Sequence, residues 1–417
     1  MKSNLTLSKI TRILSLFIIA GYALLSCDSS KDVQLKPGIW RGILNIQDHE
    51  LPMNFEVEHG KKLKIYLINA EERIELDEGM IKGDSLYLPM HIFDADIKAR
   101  ITETTISGKW TKNYEDDYSL SFEAVYGDSD RFKNTTASDA FDSKWRVTFV
   151  HHEEGDTTEA VGIFQKNNDR MTGTFLTPIG DYRYLEGTAS EQEMKLTTFD
   201  GGHAFLFTAS RVTEDSITGD FWSGVEWHET WYAVRDEHAA LPNPDSLTFI
   251  KEGYHKLDFE FPNLNGDMVS LSDYQGKPLV ISIFGSWCPN CLDETRFLKK
   301  WYDENKNRGV EVLGLAYEAK PDFEYARNRV LKMKQKLGVD FDYLIAGIND
   351  KEAAAKTLPM LNHVLAFPTT IFIDRNGEVQ RIHTGFTGPG TGHYYDQFVK
   401  EFNKTVDNLL DNSSYEN

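Results

Sequence analysis

The chain has 417 residues, 40% of them hydrophobic, with 65 acidic against 45 basic side chains and a formal net charge of −20. That length calls for two or three domains, each with enough apolar side chains for its own core. The negative charge repels phosphate backbones, which argues against nucleic acid as a partner and fits a solvated acidic surface. The three cysteines are Cys27, Cys288 and Cys291, too few for a disulfide framework.

The N-terminus reads as a targeting segment. Lys2, Lys9 and Arg12 precede an apolar run over 13–25, short for a membrane-spanning helix but suited to a signal peptide. The run ends in Leu24-Leu25-Ser26-Cys27, which resembles the lipobox of bacterial lipoproteins. The resemblance implies cleavage before Cys27 and a lipid anchor on it. Several acyl chains on one residue hold a protein to a membrane far better than one. Residues 28–32 are small and polar, as in a tether.

From about Pro37 to Glu237 the pattern is β. Alternating segments such as Asn54-Phe55-Glu56-Val57 and Lys64-Ile65-Tyr66-Leu67 are separated by turn signals such as Lys82-Gly83-Asp84. The segment repeats itself. Trp40 matches Trp145, Asp77-Glu78-Gly79 matches Leu185-Glu186-Gly187, Ile106-Ser107-Gly108 matches Ile217-Thr218-Gly219, and Ala124-Val125 matches Ala233-Val234. The order is kept and the offset stays at roughly 105–112 residues. Each copy is expected to be an antiparallel meander. The two could close into one barrel-like sandwich or pack as two units. The recurrent tryptophans, Trp40, Trp110, Trp145, Trp222, Trp227 and Trp231, read as core packing before they read as a binding cleft. His151-His152-Glu153-Glu154 does not read as a metal site, because neighbours on a strand face opposite sides.

Ala239-Ala240-Leu241-Pro242-Asn243-Pro244-Asp245 reads as a linker. An α/β pattern follows. A hairpin is expected around Asn265-Gly266-Asp267, a buried strand at 279–284, and a helix opening after Cys288. Further strands are expected at 310–316 and 341–346, helices at 322–337 and 350–361, a hairpin of 369–373 with 379–382, and a last helix at 393–410. Alternation of this kind implies a sheet covered by helices on both faces.

The chemistry lies where the buried strand passes into the helix: Gly285-Ser286-Trp287-Cys288-Pro289-Asn290-Cys291. Unpaired N–H groups and the helix dipole at that point favour a thiolate, the form that attacks disulfides. Pro289 is tolerated in the first turn. The two-residue spacing brings Cys291 back to Cys288 after one turn, so Cys288 would form a mixed disulfide and Cys291 resolve it. No second cysteine pair completes a zinc site, and no metal or cofactor is called for.

Residues 257–410 resemble the TlpA/ResA-like thiol-disulfide oxidoreductases of the thioredoxin superfamily. The markers are Asp258-Phe259, the Asn265-Gly266 hairpin, Leu271-Ser272-Asp273-Tyr274-Gln275-Gly276-Lys277-Pro278, Trp287-Cys288-Pro289-Asn290-Cys291 and Phe367-Pro368-Thr369-Thr370. The resemblance implies a cis Pro368 beside the cysteines, with Phe367, Pro368 and Thr369 docking the substrate chain and Trp287, Pro289 and Asn290 flanking the active site. Glu294 stands where ResA-like members keep a glutamate, three residues after Cys291, and its carboxylate is expected to lean over that turn in a partly apolar place between Trp287 and the Pro368 loop. Thioredoxins carry a buried Asp on the strand before the motif, and here that place is Ser282; Glu294 is then the nearby proton acceptor. Pro289-Asn290 lacks the histidine of strongly oxidising members, which points to a reductant. Peroxiredoxins need a threonine three positions before the cysteine, where Gly285 stands, so peroxidase activity is disfavoured.

The expected organisation is a signal peptide (1–26), a tether (27–36), two all-β repeats (37–130 and 141–237, barrel- or sandwich-like), a linker (238–252), an α/β thioredoxin-like domain (253–412) and a tail (413–417). The expected activity is reduction of protein disulfides on exported proteins, apocytochromes c among them. The protein would be lipid-anchored in a bacterial cell envelope, face the periplasm, and draw electrons from a membrane thiol donor. The rival reading is a β-domain that captures a ligand, with the thioredoxin domain as scaffold or sensor.

Overall fold

A computed structural model of the chain describes residues 32–60, 62–133, 138–151 and 155–411. The expected signal peptide, Cys27, His152-Glu153-Glu154 and the tail lie outside the described residues. Among the described residues no helix is long and apolar enough to cross a membrane.

The β region forms two separate nine-stranded antiparallel sheets. The first holds β1 (Gly38–Ile46), β2 (His49–His59), β3 (Leu63–Asn69), β4 (Glu72–Glu75), β5 (Met80–Lys82), β6 (Ser85–Pro89), β7 (Ala95–Ile101), β8 (Thr105–Lys112) and β9 (Ser119–Tyr126). Strand period places alternate residues inside: on β9 Leu120, Phe122 and Ala124 are buried while Ser121, Glu123 and Val125 are exposed. The first strand pairs with the last, Gly42 opposite Ala124, and the sheet stays open between β4 and β5.

The second sheet holds β10 (Ser143–His151), β11 (Thr157–Asn167), β12 (Arg170–Thr177), β13 (Gly180–Asp181), β14 (Leu185–Ala189), β15 (Glu193–Phe199), β16 (Ala204–Thr213), β17 (Ser216–Ser223) and β18 (Trp227–Arg235). Again the first strand pairs with the last, Val147 opposite Ala233. Here β11–β12 and β12–β14 pairings close the ring into a barrel. The interior is filled by stacked and edge-on rings of Phe149, Phe175, Tyr182, Phe207, Phe221 and Trp231.

The internal repeat is visible atom by atom. Trp40 Nε1 donates to the Lys36 carbonyl at 2.9 Å, and Trp145 Nε1 to the Phe141 carbonyl at 3.0 Å. One matched pair of glycines sits where the neighbouring strand comes too close for a side chain: a Cβ would stand 2.1 Å from the Lys98 carbonyl at Gly108, and 1.9 Å from the Thr208 carbonyl at Gly219. Five of the six tryptophans are buried; Trp227 is exposed and belongs to neither core.

The two sheets meet through buried polar bonds. Arg131 donates to the carbonyls of Ile68 and Thr197, and Thr197 Oγ1 to the Pro52 carbonyl at 2.7 Å.

The last domain has a five-stranded sheet in the order β23-β22-β21-β24-β25. The central β21 (Leu279–Phe284) is buried at every residue. It runs parallel to β22 (Glu311–Glu318) and antiparallel to β24 (Thr369–Ile373); β23 (Asp342–Ile348) and β25 (Val379–Thr384) are the edges. A hairpin of β19 (Glu260–Pro262) and β20 (Met268–Ser270) precedes it. The helices are α1 (Pro289–Asn305), α2 (Phe323–Leu337), α3 (Lys351–Thr357) and α4 (His393–Asp411). The helix expected over 350–361 ends at Thr357. Pro359 disfavours helical backbone at Leu358, which adopts φ −128° and ψ 65°.

The open edge of the first sheet is where this domain docks. Asp77, between β4 and β5, pairs with Lys332 at 3.0 Å and Lys336 at 2.5 Å on α2. Lys332 also donates to the Met90 carbonyl. The linker is pinned rather than free, since Asp245 pairs with Arg381 at 2.8 Å and His383 at 3.0 Å on β25.

Candidate active site

Cys288 is the N-cap of α1, with extended backbone and Pro289 at the first helical position. Its Sγ accepts the Cys291 N–H at 3.2 Å, one of the orphan donors of a helix start, and donates to the Phe367 carbonyl at 3.2 Å. The Phe367–Pro368 peptide is cis. Both cysteines are unbridged and buried, Cys288 with 4% of its surface exposed and Cys291 with none. Burial pushes the Cys291 thiol well above its usual range, and the adjoining Cys288 sulfur and Glu294 add to the rise. No group of three or more metal-ligating side chains occurs among the described residues.

Glu294 lies against β21 and against β24, on the latter two residues past Pro368. It points inward from α1 and bridges two sheet strands: Ser282 Oγ on β21 donates to Oε2 at 2.5 Å, and Thr370 Oγ1 on β24 donates to Oε1. It is 1% exposed, and burial raises its carboxyl to about 7 against the opposing pull of the two hydroxyls.

The flanking residues are placed as follows. Trp287 is half-buried, its Nε1 donates to the Tyr317 carbonyl at 2.8 Å, and its ring meets Phe367 edge-on at 5.6 Å. Thr369 is fully buried and its hydroxyl donates to the Ala366 carbonyl. Pro289 offers its carbonyl to Arg183, and Asn290 faces Gly180 with its Nδ2 buried and unpartnered. Gly285 admits no side chain, since a Cβ there would stand 2.1 Å from Trp287 Nε1.

Two features were not read from the sequence. Glu318, at the end of β22, accepts the Ser286 N–H at 2.8 Å and hydroxyl at 2.7 Å, and burial raises its carboxyl to about 7. The second feature is Arg183 of the β region, which binds the Pro289 carbonyl at 3.2 Å and Asp293 at 3.3 Å and also pairs with Glu72. More than a hundred residues separate Arg183 from the cysteines, and no local pattern marks it.

The family whose model matches residues 253–382 is described as the AhpC/TSA family. The chain is similar to the thiol-disulfide oxidoreductase ResA of Geobacillus kaustophilus, 32% identical over 138 residues, which covers 33% of this chain and 72% of that protein. It is 25% identical to ResA of Bacillus subtilis over 151 residues, covering 36% and 77% of the two chains. A solved thiol:disulfide interchange protein of the thioredoxin family from Chlorobium tepidum aligns at 19% identity and a TM-score of 0.29, over 41% of this chain and 99% of that one. A capped thiol, a cis-proline neighbour and a buried acid thus accompany sequence relatives matched over most of their length, and the chain belongs to the ResA-like thiol-disulfide oxidoreductases of the thioredoxin superfamily.

Proposed function

We propose that the protein reduces disulfides of exported proteins through Cys288 and Cys291, anchored in the bacterial cell envelope by lipid on Cys27. The observation that carries this reading is the Cys288 sulfur held at a helix N-terminus beside the cis-proline, with a buried acid of pKa about 7 on the same helix. The Cys288 thiolate attacks a substrate sulfur, the substrate S–S bond breaks, and the leaving thiolate takes up a proton. The Glu294 carboxylate accepts the Cys291 proton. Cys291 then attacks Cys288 Sγ, which releases the second substrate thiol and leaves a Cys288–Cys291 disulfide. Two electrons have passed to the substrate, and a membrane thiol donor must return them. The substrate strand would lie against the Phe367–Pro368 peptide, with Thr369, which is fully buried, supporting that peptide from within the sheet.

The reducing direction is supported by the absence of a histidine between the cysteines and by a local Arg183 charge matched by Glu72 and Asp293. The ligand-capture alternative finds no support in the second barrel, whose interior is occupied by aromatic rings. Equilibration with a dithiothreitol or glutathione series tests the direction. The expected potential lies nearer the thioredoxin value of about −270 mV than the DsbA value of about −120 mV, and a value above roughly −180 mV removes the reductase reading. For the anchor, Cys27→Ala should release the protein from the detergent phase or stall its processing; a variant that stays membrane-bound and is cut at the same site contradicts lipidation.

A further inference from the structure

The second barrel reaches onto the redox helix. Strands β12 and β13 form a hairpin in which Thr177 pairs with Gly180 and Leu176 with Asp181, leaving Pro178-Ile179 as the tip. The tip rests on two segments that border Cys288. A Cβ added at Gly180 would stand 3.1 Å from the Asn290 side chain, inside the motif. A Cβ added at Gly385 would stand 2.9 Å from the Ile179 carbonyl carbon. Gly385 itself donates its N–H to the Pro368 carbonyl at 3.0 Å, so the tip lies beside the cis-proline.

The hairpin is latched there. Asp181 Oδ2 accepts the Gly388 N–H at 2.6 Å. Arg183 grips the Pro289 carbonyl and Asp293, as described, and all three of Asp181, Arg183 and Asp293 are buried. Gly390 permits the approach, since a Cβ there would stand 2.9 Å from the Arg183 backbone. Trp287 and Phe367 form another wall. Cys288 itself has 4% of its surface exposed.

We infer that hairpin 177–183 is the specificity element of this redox site, admitting disulfides on flexible extended segments and barring those held on folded surfaces. The inference rests on the disulfide-exchange reading above and names its substrate class. Exchange requires a substrate sulfur to come within an S–S bond length, about 2 Å, of Cys288 Sγ. Everything bonded to that sulfur must then pass between the hairpin and the Trp287 wall. An extended chain occupies a slot of strand spacing, about 5 Å, whereas a folded surface presents a face of several strands or a helix. Without the hairpin the Asn290 and Gly385 side of the thiol would stand open and impose no such filter.

The test uses the reduced full chain and two substrates with the same disulfide: a short linear peptide bridged between two cysteines, and that peptide joined without a spacer to a folded carrier domain. Wild type is expected to reduce the free peptide at least about tenfold faster, a loss within the range that steric and orientational constraint imposes on association. Unlatching by Asp181→Ala with Arg183→Ala should bring the two rates to within a few-fold of each other. Pro178→Asn with Ile179→Gly, which keeps a two-residue hairpin turn, should lower the preference in the same sense and serves if the unlatched chain does not fold. Equal rates in wild type, or an unchanged preference in the folded variants, would overturn the inference while leaving disulfide exchange intact. Failure to reduce either peptide would remove the exchange reading and this inference together.

Discussion

Replacing Glu294 by Gln removes the one acid that faces the resolving cysteine from within α1, at little cost in shape. Ser282 and Thr370 both donate to the carboxylate, and hydroxyls can turn to accept from an amide, so the bonding need not be lost. A carboxyl raised to about 7 is half ionised at neutral pH, so it can accept the Cys291 proton and return it in the same cycle. Two effects of the substitution oppose each other. Loss of the general base slows resolution, by on the order of 10²-fold. Loss of a negative charge eases Cys291 deprotonation, but Glu294 raises that thiol less than burial and the Cys288 sulfur do. The first effect should therefore win. Reduced protein is mixed rapidly with a small disulfide, quenched in acid and weighed intact, which separates the mixed disulfide from the Cys288–Cys291 disulfide. Wild type should show a resolution rate that rises through pH about 7, and Glu294→Gln a slower rate without that inflection. If the variant resolves as fast as wild type across this range, the proton leaves Cys291 by water and Glu294 is a packing residue.

The same burial makes stability depend on pH. Glu294 and Glu318 are both raised to about 7, so the native state holds their protons more tightly than the unfolded chain does. Their contribution is complete below the unfolded carboxyl range and is lost as pH rises through about 7, each on the order of 3 kcal/mol. Urea unfolding should give a lower midpoint at pH about 8 than at about 5, and Glu294→Gln should flatten the slope by its own share; parallel slopes refute this. Gly285→Thr would place a Cβ 2.1 Å from Trp287 Nε1 and 2.6 Å from the Tyr317 carbonyl. It should lose at least about 1–3 kcal/mol in the same assay and gain no peroxidase activity, whereas a stable variant that turns over hydroperoxide would contradict the reading of that position.

What the sequence disclosed was whatever local physics encodes. The run Leu279-Val280-Ile281-Ser282-Ile283-Phe284 is apolar because β21 is covered on both faces, and the cysteines follow because a buried strand must turn into a helix start there. The helices expected from 322 and 350 do begin there, and Asp322 and Asp350 cap them, accepting the Tyr325 and Ala353 N–H groups. The α3 end was misread because apolar spacing continues to Leu361 while Pro359 overrides it. The repeat was legible since tryptophan and glycine at matched places answer to the same strand crossings. Whether its copies join was not, because closure of the second ring and opening of the first are decided by pairings between strands far apart in sequence. Arg183 was invisible for the same reason: nothing around it in the chain says that its counter-ions are Glu72 and Asp293.

Ser282, on the strand that leads into the cysteine motif, serves Glu294 as a donor. A carboxylate on β21 beneath the cysteines would need its own donors in a buried sheet, where an unpaired charge is costly. Here the strand contributes a hydroxyl and the helix contributes the acid, so the charge reaches the same buried layer with Ser282 and Thr370 already arranged to receive it. The acid lies three residues beyond Cys291, on the same helix face. In the proposed mechanism, a shift of α1 carries the thiol and its proton acceptor together. The Arg183 bond to the Pro289 carbonyl holds the start of that helix from outside the domain, so the β region grips the turn that joins the two cysteines.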